Sequence, residues 1–215
     1  MGQRDRFWEQ LDIWGTFALT NLFWIVVSIP LLTMPLATAG LFQVMSKWAR
    51  GKQPEFFHDF FGAMRRYWAS ALMIGLLDVL VGGMVLINLR ISATMAATDP
   101  LALGSRSAAL FTGWVLLLAN LYIWSLLVLV EESLWQIIRM ALKLVLAHPL
   151  WSSGVLIAAG IPFLVSLVLP VMVMLFATIS LSAWIINRGT WRVIRRYLPE
   201  DEVNALENTS SHSKG

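Results

Sequence analysis

Residues 21–40 read NLFWIVVSIPLLTMPLATAG. The run is apolar enough for a bilayer, yet it contains Pro30 and Pro35. Each proline removes a backbone donor and crowds the preceding helical turn. The stretch therefore reads as a helix over about 12–29, a break at the prolines, and a second helix from near Leu36 to Ala49, ending at Arg50-Gly51-Lys52. That second arm either crosses back or lies along the surface. Its 14 residues cover about 21 Å at ~1.5 Å each, short of the ~30 Å hydrocarbon core. A cleaved export signal fits less well. The small residues at 37–40 resemble a cleavage site, but the apolar run from Ile13 to Pro35 exceeds the about 7–15 residues of a signal, and Asp5, Glu9 and Asp12 crowd its start.

The rest of the chain points the same way. Of its 215 residues, 58% are hydrophobic and 13% charged, with a mean hydropathy of +0.69. Soluble domains average about 45–50% apolar and about 25% charged. Four stretches are long enough and poor enough in charge to span: 13–46, 67–89, 107–130 and 144–187. The last is too long for one helix, and Pro162 and Pro170 lie inside it. The sequence thus predicts an all-α, polytopic transmembrane bundle in one domain over 1–198. Its five spans are 12–29, 67–89, 108–130, 151–169 and 170–187, with a tight turn at Leu169-Pro170. Six membrane segments result if the arm after Pro35 also crosses. An interfacial amphipathic helix is expected over 131–147 and a disordered polar tail over 199–215.

Eleven tryptophans include Trp14, Trp68, Trp151 and Trp184 near expected span ends, where amphipathic rings favour the headgroup level. Trp24 and Trp124 fall mid-span and are expected to pack between helices. There is no cysteine, so no disulfide or thiol chemistry. Arg and Lys gather on the cytoplasmic side of short loops. Five spans put twelve of the sixteen Arg and Lys on the side of the C-terminus; six put fourteen there. Both place the C-terminus in the cytoplasm. The same bias accounts for the +3 net charge without nucleic acid.

Residues 21–51 resemble the opening of the YesL-like bacterial membrane proteins: an aromatic-rich span, a Pro-x-x-Thr element (Pro30 to Thr33), small residues, then a basic exit. FFHDFFGAMRRYW (56–68) is similar to the family's approach to the second span, and LWQIIRMALKLVLAHPL (134–150) to its segment between the third and fourth. Met34 stands where the family pattern carries a second glycine. The resemblance implies a polytopic protein of a bacterial cytoplasmic membrane, often encoded beside carbohydrate-uptake genes, with no established molecular activity.

Three constellations could carry function. Asp78 lies mid-span on a stripe with Ser70, Ile74 and Gly82. A mid-span aspartate usually faces a bundle interior or a wet cavity, and Asn21 and Asn120 are its candidate partners. The sharper reading is a proton or cation site; the plainer one is a hydrogen-bonded glue between helices. In 131–147, Glu132, Gln136, Arg139 and Lys143 recur on one polar face. This reads as a helix floating in the interface or as a docking element for a cytosolic partner, similar to the loop through which ABC permeases hold their ATPase. At 188–196, Arg188, Arg192, Arg195 and Arg196 share a face that suits anionic headgroups or a solvated end to the last span. His58, His148 and His212 lack ligand-spaced companions, and no hydrolase or phosphate-loop motif occurs. No metal, cofactor or catalytic residue is expected. The expectation is an accessory to carbohydrate or other solute uptake, contacting the bilayer and a transporter component. A small transporter or channel built on Asp78, or an ABC-type permease component, stands as the alternative.

Overall fold

The computed structural model describes residues 3–96, 98–167 and 177–208, with residues 3–14 as backbone alone. α1 (Gln3–Val27) leads through a short 3-10 turn (Leu31–Thr33) into α2 (Met34–Ala49). The Pro-x-x-Thr element builds this break. The Thr33 backbone N–H donates to the Pro30 carbonyl at 2.7 Å, and its hydroxyl reaches the Pro30 and Val27 carbonyls. Pro35 then sits in the first turn of α2, where its missing N–H has no partner to lose. The two arms pair: the Trp24 indole donates to Thr38 Oγ1 at 3.2 Å, and Phe17 meets Trp48.

α2 is the centre of the molecule. It touches α1, α3 (Phe56–Arg66), α4 (Trp68–Ala93), α5 (Pro100–Leu129) and α8 (Thr178–Ile194). Small residues make these approaches possible. A methyl group added at Gly40 would meet the Phe60 carbonyl at 2.8 Å, and one at Gly75 would meet Pro35 Cγ at 2.5 Å. α6 (Leu134–Ala147) and α7 (Pro149–Ser166) join α5 to α8, and α9 (Glu200–Asn208) follows.

Among the described residues, α4, α5 and α7 are long and apolar enough to cross a membrane. Their settings differ. α5 is the most buried of the three, whereas α4 is mostly exposed. Exposed Val79, Met84 and Leu86 on α4 form an apolar surface that suits lipid. The chain is a helical membrane protein.

Several boundaries differ from expectation. α5 begins at Pro100 rather than 108, because Asp99 accepts the Leu101 N–H at 2.9 Å and Pro100 takes the first helical position. α4 runs to Ala93, past the expected 89. α7 starts at Pro149 rather than 151 and ends at Ser166 rather than 169. α8 continues to Ile194, past the expected 187. The expected turn at Leu169-Pro170 and the opening of span 170–187 lie outside the described residues, as does the tail from 209. The tail is not wholly disordered: Glu200–Asn208 is helical. Its acidic first turn complements the helix dipole, and Val203 and Leu206 pack against the core.

Candidate functional site

The helices are stitched by polar side chains. The Asn120 amide on α5 donates to Asp78 Oδ1 on α4 at 2.8 Å and to the Leu116 carbonyl at 3.1 Å. Trp124 Nε1 in turn donates to Asn120 Oδ1 at 3.0 Å, and the Trp124 ring packs on Phe42 of α2. Asp78, Asn120 and Trp124 thus form one chain from the α4–α5 seam toward α2. Elsewhere, Tyr122 OH meets Ser152 Oγ at 3.0 Å. Thr190 Oγ1 donates to Ser125 Oγ at 2.9 Å, and Ser182 Oγ to the Ala159 carbonyl at 2.8 Å.

Asn21 does not meet Asp78. It is fully buried, and its Oδ1 accepts the backbone N–H groups of Ile179 at 3.0 Å and Ser180 at 3.2 Å. These belong to the first turn of α8, whose N–H groups lack intrahelical acceptors. Asn21 therefore caps a helix 158 residues away, assisted by the Ser180 hydroxyl donating to the Phe17 carbonyl at 2.9 Å. Spacing in the sequence carries no sign of this role.

At the end of the bundle where α2 stops and α6 lies, a second set of polar groups was not anticipated. The nearly buried Asp59 carboxylate takes the Lys47 ammonium at 2.6 Å and the Glu55 N–H at 2.9 Å, fastening α3 to α2. Arg66 pairs with Glu131, tying α3 to the loop before α6, and this hydrogen bond raises the guanidinium pKa above its ordinary value. Burial lowers that of Arg50, opposed by the Glu207 carboxylate of α9. Gln43, His58, Asp59, Arg66 and Tyr67 line a cavity of about 230 Å³ beside these pairs.

α6 starts at Leu134, after Ser133, so Glu132 precedes the helix and does not share its polar face. The Ser133 N–H donates to Gln136 Oε1 at 3.2 Å, fixing that first turn. Ile137, Ala141, Leu144 and Val145 are buried against the bundle. Trp135, Leu142 and Leu146 form an exposed apolar row, and exposed Gln136, Arg139 and Lys143 form a polar row beside it. The Arg139 guanidinium lies 5.3 Å over the Trp135 ring. The helix therefore carries three faces: one buried in the bundle, one exposed and apolar, one exposed and polar.

The four arginines are likewise divided. All are exposed. Arg188 donates to the Ala49 carbonyl at 3.3 Å, Arg188 and Arg192 line a groove between α7 and α8, and Arg196 lines a smaller cavity next to it. Arg195, the residue that closes α8, lines neither. None of these cavities is lined by Asp78.

Residues 17–89 match the family model described as "Protein of unknown function, DUF624". The match runs from the paired part of α1 through α2 and α3 and most of α4. It is consistent with the YesL-like resemblance for that part of the chain; the α6 segment lies outside it. No curated protein and no solved structure matches the chain.

Proposed function

We propose that this is a multi-pass protein of a bacterial cytoplasmic membrane that works by contact rather than catalysis, as an accessory to the uptake of a carbohydrate or another solute. The observation that carries this reading is the posture of α6. One side is fixed in the bundle by Ile137, Ala141, Leu144 and Val145, so the row Gln136, Arg139 and Lys143 is held outward by an ordered scaffold. A helix anchored this way presents charge to the cytosol at fixed spacing, and Glu132 sits just ahead of it. The carbohydrate element rests on the YesL-like resemblance.

The transporter reading and the ABC-type permease reading stand behind this one. The Asp78 carboxylate is engaged by Asn120 and faces none of the cavities described above, which supports a structural role for the pair.

Co-purification in mild detergent tests the proposal. A component of a solute-uptake transporter should accompany the wild-type protein. Glu132→Lys and Arg139→Glu should each reduce its recovery, and added salt should weaken the wild-type association as screening grows. Unchanged recovery in both variants, with normal membrane insertion, would remove α6 as the contact.

A further inference from the structure

α7 and α8 pack antiparallel along a seam, with residues 151–159 of one set against 182–189 of the other. Ser182 is bonded to the Ala159 carbonyl, Gly189 lies so close to Val155 that an added methyl would come within 2.5 Å of it, and the Trp151 indole donates to the Gly189 carbonyl at 3.0 Å. Outside this seam is a groove of about 420 Å³. Its walls change character along its length. Gly154, Ala158 and Ile185 line the part toward the middle of the helices; Trp151, Arg188 and Arg192 line the part toward the start of α7 and the end of α8. A second cavity of about 360 Å³, lined by His148 and Arg196 among others, shares Trp151 and Arg192 with the first.

The cations are held but not neutralised. The Arg192 guanidinium stands 5.9 Å over the Trp151 ring and that of Arg188 5.7 Å over Trp184, positions that restrain a guanidinium without using up its charge. Among the described residues, no carboxylate lies within 4.0 Å of Arg188, Arg192 or Arg196. α7 is long and apolar enough to span, and the cationic part of the groove lies at the end of α7 that carries Trp151, a residue type that favours the headgroup level. Basic pockets between spanning helices at that depth suit anionic lipid headgroups.

We propose that this groove is a binding site for an anionic glycerophospholipid. The phosphate sits among Arg188, Arg192 and Arg196, and one acyl chain lies along Gly154, Ala158 and Ile185. An inorganic phosphate would use the cationic part alone. A zwitterionic lipid would offer the chain but bring a cationic group against the arginines. The inference is independent of any role for α6.

Native mass spectrometry and thermal melting of the purified full chain test it, with dioleoyl phosphatidylglycerol, dioleoyl phosphatidylcholine and inorganic phosphate as the three probes. Phosphatidylglycerol should be retained and should raise the melting temperature; the other two should do neither. Arg188→Gln with Arg192→Gln should weaken retention by about twenty-five-fold, at about fivefold per charge. Gly154→Leu should block the acyl part. A side chain there enters open space, with nothing within 4 Å of its Cβ, and Leu is the better helix former, so its melting temperature without lipid should be no lower than that of wild type. Equal retention of phosphatidylcholine, undiminished retention in either variant, or no retained lipid at all would overturn the proposal. Protection by inorganic phosphate equal to that by phosphatidylglycerol would also overturn it, leaving a simple anion site.

Discussion

Asn120 on α5 donates its amide to the Asp78 carboxylate on α4 across 2.8 Å, with the Trp124 indole closing on the carbonyl side of the same amide. Each group of Asn120 is thereby used. Asp78→Asn keeps an oxygen acceptor for the Asn120 amide and should leave the melting temperature in detergent nearly unchanged. Asp78→Leu removes the acceptor and should cost about 1–2 kcal/mol, the scale of an interhelical hydrogen bond in a membrane. A pH- or ion-dependent flux in proteoliposomes, present in wild type and abolished by Asp78→Asn, would instead make the carboxylate a transport site.

Asn21 should behave as a cap whose loss is felt far along the chain. Asn21→Ala removes the acceptor for the Ile179 and Ser180 N–H groups. A lost cap costs about 0.5–2 kcal/mol, and hydrogen exchange at the start of α8 should accelerate while exchange in the middle of α4 does not. Uniform acceleration across all helices would mean that the residue is a general packing group.

The hairpin of α1 and α2 is seated on α4 through Pro35 and Gly75. Gly75→Ala puts a methyl group within 2.5 Å of Pro35 Cγ, and overpacking of this kind costs about 1–3 kcal/mol. Gly83 lies on the same helix, and a methyl group added there would have nothing within 4 Å. Gly83→Ala should therefore be neutral or stabilising, up to about 1 kcal/mol from helix propensity. Equal losses in the two variants would contradict the close seat.

What the sequence made legible was what local chemistry dictates. Apolar runs marked the helices, and the prolines with Thr33 marked the break. The early start of α5 was also written locally, as Asp99 before Pro100, but polar Ser105 and Arg106 masked it in a reading by hydropathy. Helix α9 carried a comparable signal in its acidic first turn and in the three-residue spacing of Val203 and Leu206. The capping of α8 by Asn21 and the Arg66–Glu131 pair were not legible, because their partners lie 158 and 65 residues apart and meet only once the bundle is packed. Asp78 and Asn120 stood out because polar groups inside spans are costly unless paired; which asparagine met the aspartate depended on the helix order around α2.

Sidedness follows from charge. A reporter fused after Lys214 should be active only in the form that works in the cytoplasm, because twelve or more of the sixteen Arg and Lys are expected on that side. Activity of a phosphatase that requires the periplasm would reverse the orientation. The same fusion before Phe7 reports on whether the α1–α2 hairpin brings both its ends to one face.

Site-specific photo-crosslinking along α6 tests the central claim most directly. A benzophenone side chain placed in cells at Gln136, Arg139 or Lys143 should give one discrete adduct containing a solute-uptake component, whereas the same probe at Trp135 or Leu146, on the apolar row, should give none. The absence of an adduct along the polar row, or equal adducts from both rows, would contradict an accessory that acts through this face.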